Sequence, residues 1–290
     1  MSPEAARGIR FALLAMTCFA FQDGISKHLA SHYPAPFFVM IRYWFFAAFV
    51  LVLATRWPGG LKAALKTRRP VLQCARGVLL AVQILVFVAA LDRLGLAVQM
   101  SVFSLYPLLI TLLAVPVLGE RVGWRRLSAV GVGFLGVLVI LRPGLSSIGW
   151  EALIGLASAL GIALYALMTR IATQADGSSH PAFVYTGLAG AVAITLVGPF
   201  YWTAMTPPDW GWMALLCLAG MSGHYCLICA YDATEAMRIQ PFAYLQMVFG
   251  IAIGWTVFAE PVDPWAVLGV GLIIAAGLYA LWREARGGTS

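Results

Sequence analysis

Long apolar segments alternate with short polar segments along the whole chain. Each of ten apolar segments is long enough to cross the hydrocarbon core of a bilayer as one α-helix. Proline and glycine lie in several connections, as in Pro58-Gly59-Gly60 and Pro207-Pro208, where helices usually end or begin. The pattern predicts ten membrane-spanning helices, over residues 9–30, 36–55, 70–91, 95–118, 124–141, 149–172, 181–202, 210–231, 238–259 and 264–282.

Composition favours the same class of protein. Hydrophobic residues make up 61% of the 290 residues, charged residues 11%, and the mean hydropathy is +0.87. A soluble domain of this length does not need so much apolar sequence. The net charge of +7 does not indicate nucleic-acid binding, because the basic residues lie in short connections between apolar segments. We therefore expect an integral membrane protein with no nucleic-acid partner.

The distribution of lysine and arginine predicts the orientation. If the N-terminus is cytoplasmic, fourteen of these residues fall on the cytoplasmic side and three, Lys27, Arg93 and Arg142, on the outer side. Cytoplasmic connections carry such an excess of basic residues. Both termini are therefore predicted to be cytoplasmic, in a multi-pass protein of the cytoplasmic (inner) membrane.

The second half of the chain repeats features of the first at an offset of 140 residues. Asp92 corresponds to Asp232 and Glu120 to Glu260, and these matches carry weight because the chain has only 12 acidic residues. Ten spans divide into five and five, and an odd number of spans inverts the second half relative to the first. We predict two five-helix repeats, over residues 1–142 and 143–290, that form one transport domain. Inverted repeats of this kind support alternating access.

Several motifs resemble those of a known family. Arg42 in the second span, Pro107 in the fourth, Gly119-Glu120 at its end and a glycine-rich fifth span are similar to one EamA repeat. The second half keeps Ala259-Glu260, but Met247 replaces Pro107 and Arg42 has no equivalent. The chain resembles the drug/metabolite transporter superfamily, and its aromatic-rich central spans are most similar to the YddG-type exporters of aromatic and neutral amino acids. The resemblance implies a ten-helix carrier of small organic solutes, often an exporter.

A carrier needs polar side chains near the middle of the membrane, where they face a cavity or a partner helix. Uncharged amides, hydroxyls and one imidazole predominate, which suits a neutral or zwitterionic solute better than a phosphorylated one. Aromatic side chains are candidates for a pocket around a flat group, with packing between helices or against lipid as the alternative. The predicted cavity-lining residues are Phe19, Gln22, Gln83, Ser104, Tyr106, Tyr165, His224, Tyr225, Tyr244 and Gln246; further polar candidates are Thr17, Gln99, Ser101 and Ser158, and further aromatic ones Trp44, Phe87 and Phe103.

Charged residues inside the spans are candidates for gating. Asp23 and Lys27 stand one helical turn apart, a spacing that predicts an ion pair, with a proton or gating switch at Asp23 as the alternative. Arg42 is expected within reach of Asp23 or of a solute carboxylate, with a structural pairing as the alternative. Arg76 is expected to extend to the cytoplasmic surface, because a long basic side chain near a helix end can do so.

Helix ends and glycines carry two further expectations. Glu120 and Glu260 end their helices, where the helix dipole disfavours a carboxylate, so each is predicted to cap the following helix or to bind a nearby arginine. Small residues let helices approach closely in lipid. The fifth and tenth spans are therefore predicted to form equivalent supports or a subunit contact through Gly131, Gly133, Gly136, Gly269, Gly271 and Gly277.

The residues favour a carrier over other membrane proteins. An intramembrane enzyme needs a catalytic set at one depth, and His224 has no carboxylate at its level. A channel is disfavoured because no ring of charges or filter loop recurs. Cys226 and Cys229 near His224 lack a fourth ligand, so no metal is expected. No cofactor is expected either, and neither is ATP hydrolysis. We predict a monomer or homodimer that carries neutral or aromatic amino acids, with other metabolites or drugs as the alternative and with proton exchange or facilitated diffusion left open.

Overall fold

The computed structural model describes residues 3–118, 124–141, 150–233, 236–261 and 263–287. Within these ranges the chain forms twelve α-helices and one 3-10 helix at Gly198–Tyr201. The α-helices are α1 (Pro3–Ala30), α2 (Ala35–Thr55), α3 (Gly60–Ala64), α4 (Pro70–Leu94), α5 (Leu96–Phe103), α6 (Tyr106–Leu118), α7 (Trp124–Leu141), α8 (Glu151–Asp176), α9 (His180–Thr195), α10 (Pro207–Ala233), α11 (Ala236–Phe258) and α12 (Pro264–Gly287).

Proline and glycine explain several helix limits. Proline lies in the first two positions of α2, α4 and α9, where a missing N–H costs no hydrogen bond. Gly95 and Gly177 end α4 and α8 with φ angles of 79° and 64°, a region that favours glycine. The predicted span 95–118 is two helices, α5 and α6. The break follows from Pro107, which has no N–H to donate to the carbonyl of Phe103.

Four described helical segments are long and apolar enough to cross a membrane on their own: Ala6–Ala30, Ala35–Thr55, Pro70–Leu94 and Glu151–Asp176. A helical protein with membrane-type helices is thereby confirmed for the described ranges. The count of ten spans, the division at 142–143 and the cytoplasmic position of the termini stay predictions. We call the end of the bundle near residues 30–35 and 94–96 the outer end, and the end near 55–70 and 176–180 the inner end.

Helices that are distant in sequence pack in pairs. α1 packs along α10, α4 along α8, α2 along α9, α5 along α11 and α7 along α12. Counted as predicted spans, these pairs are one with eight, three with six, two with seven, four with nine and five with ten. Exchange of the two predicted repeats adds five to each span number of the first repeat and subtracts five from each of the second. The pair of spans one and eight then becomes the pair six and three, and each of the other three pairs maps onto itself. Two inverted repeats are expected to pack in this way.

Gly136 lies where α7 meets α12. A Cβ atom built on Gly136 would stand 2.7 Å from the carbonyl oxygen of Gly269 and 2.8 Å from the side chain of Ile273. The two backbones therefore approach closely only because residue 136 has no side chain. Gly131 on the same helix has no atom within 4 Å of such a Cβ. The predicted fifth and tenth spans thus pack against each other, through some of their glycines and not others.

Candidate solute-binding site

Four buried polar side chains from three helices form a hydrogen-bonded cluster, which we call the Asp23 cluster. Gln246 on α11 donates from Nε2 to Asp23 Oδ2 at 2.7 Å. Gln22 donates to Asp23 Oδ1 at 3.5 Å, and accepts at Oε1 from Arg42 Nη2 of α2 at 2.9 Å. Each of the four is at most 8% exposed. The cluster places a carboxylate and a guanidinium one amide apart inside the bundle.

Arg42 uses little of its hydrogen-bonding capacity. A guanidinium has five N–H donors in a fixed planar arrangement. One of them bonds Gln22, and the other four have no hydrogen-bond partner among the described residues. Such a group binds a carboxylate through two parallel hydrogen bonds. Asp23 Oδ1 accepts one hydrogen bond from the described residues, the long one from Gln22 at 3.5 Å, and likewise has room for a second donor.

Aromatic side chains form the layer one helical turn further toward the inner end. Phe19 precedes Asp23 by four residues and Phe46 follows Arg42 by four, so each lies on the same helix face as its cluster member. His224 on α10 contacts both rings. Its centroid is 5.0 Å from that of Phe19, edge-on, and 5.7 Å from that of Phe46, stacked. We call Phe19, Phe46 and His224 the aromatic wall.

Two glycines of α10 allow this arrangement. A Cβ atom on Gly220 would stand 2.6 Å from Gln22 Oε1, inside van der Waals contact. A Cβ atom on Gly223 would stand 2.6 Å from a ring carbon of Phe19. A side chain at residue 220 would displace the Gln22 amide, and one at residue 223 would displace the Phe19 ring or push α10 away from α1, which it packs along. The cluster and the wall therefore depend on the bare backbone of α10.

Gln83 and Ser104, predicted to line the cavity, are engaged in hydrogen bonds inside the protein. Gln83 Nε2 donates to the carbonyl of Ser158 at 3.3 Å, and Gln99 Nε2 donates to Ser158 Oγ at 2.9 Å. Ser104 Oγ donates to the carbonyl of Ser101 at 2.6 Å. These side chains join α4, α5 and α8 and do not contact the Asp23 cluster through any described hydrogen bond.

Tyr244 and Tyr106 belong to a second group of aromatic residues. Tyr244 is 4% exposed, and its hydroxyl has no hydrogen-bond partner among the described residues. Tyr106 is half-buried against Phe103 at a centroid distance of 5.0 Å, and Phe103 in turn contacts Phe87 at 4.9 Å. The buried hydroxyl of Tyr244 is a further polar group available to a solute.

Tyr225 and Trp44 are exposed, unlike the buried members of the Asp23 cluster, and their place in a cavity stays a prediction. Their exposed fractions are 44% and 42%. Consecutive residues of a helix point about 100° apart, so Tyr225 lies on a different face of α10 from His224. The indole N–H of Trp44 donates to Thr195 Oγ1 at 2.8 Å, across the contact between α2 and α9.

Lys27 does not pair with Asp23, although the spacing predicted that pair. Lys27 Nζ donates to the carbonyl of Leu91 at 2.9 Å and stands 3.9 Å from Glu260 Oε1. Asp23 is held instead by Gln246 from α11. Asp23 and Lys27 do lie one turn apart on α1, but each is bound by a residue from another part of the chain.

Glu260 caps a helix that is distant in sequence, and this corrects the prediction of a cap on the following helix or a bond to a nearby arginine. Its carboxylate accepts from the backbone N–H groups of Leu96 and Ala97, both at 2.8 Å. A carboxylate at the N-terminus of α5 is favourable with the helix dipole. A Cβ atom on Gly95 would stand 2.8 Å from Glu260 Oε1, so glycine is needed there for space as well as for its φ angle. Glu120 lies outside the described residues.

Arg76 is buried and does not extend to the surface, contrary to expectation. It is 1% exposed and its guanidinium stands 5.2 Å from the ring centroid of Tyr165. Its acceptors lie on α4, α8 and α9. No local pattern in the sequence predicted these partners. They are Gln73 Oε1 at 2.9 Å, Tyr165 OH at 3.4 Å, Thr169 Oγ1 at 3.1 Å, Thr186 Oγ1 at 2.6 Å and the carbonyl of Ala182.

No group of three histidine, cysteine or acidic side chains that suits a metal ion occurs in the described part of the chain. The polar and aromatic features described above are a buried charged cluster, an aromatic wall beside it, and polar contacts between helices near each end of the bundle.

Comparison with known proteins identifies the family. The EamA-like transporter family matches residues 6–142 and again residues 149–282. An S-adenosylmethionine uptake transporter of Rickettsia prowazekii is 28% identical over 280 residues, which cover 96% of this chain and 93% of the relative. A riboflavin transporter of Rhizobium johnstonii is 31% identical over 227 residues, covering 77% and 74%.

Two further similarities extend over nearly the whole chain. The pseudopaline exporter CntI of Pseudomonas aeruginosa is 25% identical over 281 residues, which cover 97% of both chains. A solved crystal structure shares the fold with a TM-score of 0.67 at 16% identity, covering 98% of this chain and 99% of the other. On this evidence the chain belongs to the EamA-like family of the drug/metabolite transporter superfamily and is a membrane transporter of small solutes.

Proposed function

We propose that the protein carries small zwitterionic solutes across the inner membrane by alternating access, with neutral and aromatic amino acids as the first candidates and export as the direction. The observation that carries this proposal is Arg42, a buried cation with four donors that have no partner among the described residues, one amide away from the carboxylate of Asp23. An amino acid offers the complementary pair of charges.

The proposed binding mode follows from the geometry. The solute carboxylate accepts from the open edge of the Arg42 guanidinium, and its ammonium group donates to Asp23 Oδ1. A flat side chain then lies toward Phe19, Phe46 and His224, one turn further along α1, α2 and α10. The four members of the Asp23 cluster are at most 8% exposed, so a solute reaches them only after one end of the bundle opens.

The names of two relatives bear on the choice of solute. S-adenosylmethionine is itself an α-amino acid that carries a planar purine, whereas riboflavin carries a planar ring system but no carboxylate or ammonium group. A solute of either kind is the second candidate, favoured by the aromatic wall. One relative is named an uptake transporter and another an exporter. The proposal of export for this chain rests on the resemblance to amino-acid exporters.

The source of energy is tied to Asp23 in this proposal. Exchange for protons requires a group in the cluster that changes charge, and Asp23 is the carboxylate there. Facilitated diffusion requires only that Asp23 stay charged and bind the solute. Uptake measured with and without a pH gradient separates the two.

Counterflow into proteoliposomes tests the function. Purified protein is reconstituted and assayed with radiolabelled phenylalanine, tryptophan, S-adenosylmethionine and riboflavin, with and without a pH gradient, and Arg42→Gln serves as the control for specific transport. We expect saturable counterflow of an amino acid that Arg42→Gln loses. Transport of riboflavin but of no amino acid would contradict the proposal that the solute is a zwitterion. Absence of transport with all four compounds would reject the proposed solute class.

A further inference from the structure

Arg76 differs from Arg42 in that its guanidinium has no donor left over. Five N–H donors meet five acceptors, on α4 itself, on α8 and on α9. Arg42, by contrast, makes one hydrogen bond to a described residue. The two buried arginines therefore have different uses: one is open to a ligand, and the other is committed to holding helices together.

The position of Arg76 decides which helices it holds. It lies on the second turn of α4, near the inner end, whereas Tyr165, Thr169 and Thr186 come from α8 and α9, beyond the predicted division of the chain at 142–143. At the neighbouring Gly77, a Cβ atom would stand 2.7 Å from the carbonyl oxygen of Tyr185, so α4 and α9 are in close backbone contact here. The inner ends of the two predicted repeats meet at this point.

The acceptors around Arg76 carry no formal charge. They are an amide, three hydroxyls and a carbonyl, and the carboxylate linked to them, Asp176, is bound through Gln73 at 2.9 Å. Asp176 also accepts from the Thr67 hydroxyl and the Arg68 backbone N–H, both at 2.7 Å, and so fixes the connection after α3. Neutral acceptors can be replaced by water one at a time, whereas a direct buried ion pair would resist separation.

We propose that Arg76 is the positioning residue that closes the inner end of the carrier. Its hydrogen bonds to α8 and α9 exist only while these helices lie against α4, and opening toward the inner side breaks them and hydrates the guanidinium. This inference goes beyond the solute assignment and rests only on the carrier having alternating open ends. Arg76 acts through the helices it joins and makes no contact with the Asp23 cluster through any described hydrogen bond.

Cysteine accessibility tests the proposal without any solute. Ile162 on α8 packs partly buried between the two main apolar cores, about one turn from Tyr165 toward the middle of the bundle. Ile162→Cys is introduced into a variant whose five native cysteines are replaced. A membrane-impermeant maleimide is then added to the predicted cytoplasmic face of inside-out vesicles, and the labelling rate is measured.

Arg76→Lys keeps the charge but supplies fewer donors, and we expect it to raise the labelling rate about fivefold or more, the change that follows from losing roughly one net hydrogen bond. Thr186→Val removes a single acceptor while keeping the shape, and a smaller rise is expected. Arg56→Gln removes an exposed charge near the same end and leaves the rate unchanged.

Two results would overturn the proposal. In the first, folded Arg76→Lys and Thr186→Val label at the parent rate. In the second, labelling rises equally with reagent at either face, which means general loosening. Should Arg76→Lys fail to fold, Thr186→Val decides the question alone. A failure to transport amino acids leaves this experiment readable, because labelling reports the inner end and not the solute.

Discussion

At the scale of single residues, the chemistry of the Asp23 cluster depends on which hydrogen-bonding positions are filled. Asp23 is bound on both oxygens, strongly by Gln246 and weakly by Gln22, whereas Arg42 is bound at one nitrogen. A zwitterion that fits this cluster would complete the coordination of both charges. The sequence singled out Arg42, Asp23, Gln22 and Gln246 as candidates, since polar residues inside apolar segments are rare and costly, and the structure buries all four.

Asp23→Asn removes the charge of this carboxylate and keeps its shape. Since hydrogen bonds to charged groups contribute about 1.5–3 kcal/mol, we expect the apparent affinity for an amino-acid solute to fall about tenfold or more. Binding is measured by scintillation proximity with the purified variant. The matched control is the same solute without its amino group, which the variant should bind at least as well as the parent because this solute has no ammonium for Asp23; equal losses for both solutes would mean that Asp23 has a structural role only.

Gly223→Ala tests the contact between α10 and α1. The new methyl group would stand 2.6 Å from the ring of Phe19, and overpacking of this kind costs about 1–3 kcal/mol. We expect a lower unfolding temperature in detergent. Gly211→Ala on the same helix is the control, because no atom lies within 4 Å of its Cβ position; equal unfolding temperatures for the two variants would contradict the packing described.

At the scale of helices, local sequence accounts for where the helices begin and end, and packing accounts for how they meet. Apolar segments and the positions of proline and glycine indicated nearly every helix. The break between α5 and α6 was missed, although Pro107 is its cause, because a ten-span pattern favours one continuous helix over residues 95–118. The glycines of α7 and α12 were identified as packing residues, but sequence does not distinguish Gly136, which is in contact, from Gly131, which is not.

Gly136→Ala and Gly131→Ala form a matched pair on α7. The first places a methyl group 2.7 Å from the Gly269 carbonyl and forces the backbones of α7 and α12 apart, so we expect a loss of about 1–3 kcal/mol in stability. The second meets open space and should be neutral, or slightly stabilising because alanine favours a helix. Thermal unfolding of the two variants in the same detergent checks this expectation, and destabilisation of both to the same degree would refute it.

At the scale of the whole molecule, different kinds of contact join the helices at the two ends of the bundle. The outer end holds a charged contact, in which Glu260 caps α5 and stands 3.9 Å from Lys27. The inner end holds Arg76 in a shell of neutral acceptors. Both contacts join segments from opposite sides of the predicted division of the chain. In the alternating access proposed above, opening of one end breaks its contact while the contact at the other end is kept.

Glu260→Gln removes the charge at the outer end and should favour outer opening. In the Arg76→Lys background, with the Ile162→Cys reporter, we expect added Glu260→Gln to lower inner-side labelling about fivefold, since a lost charged cap contributes roughly 1 kcal/mol. Asp92→Asn, an exposed acid near the same end, is the control and should have no effect. Labelling that rises further on addition of Glu260→Gln would mean that the two ends are not in opposition.

The sequence by itself determined the class of the molecule: apolar segments of membrane length and a weak internal repeat indicated a duplicated membrane protein, and the motifs that resemble an EamA repeat led to the correct family. These features are local or periodic, and hydrophobic burial acts on each segment whichever helices it finally packs against. Tertiary structure alone decided the partners of the charges. Lys27 meets Glu260 and not Asp23, Glu260 caps α5, and Arg76 is enclosed by α8 and α9. Each of these contacts joins residues more than 85 positions apart, as with Arg76 and Tyr165 at a separation of 89, so spacing along one helix carries no information about them.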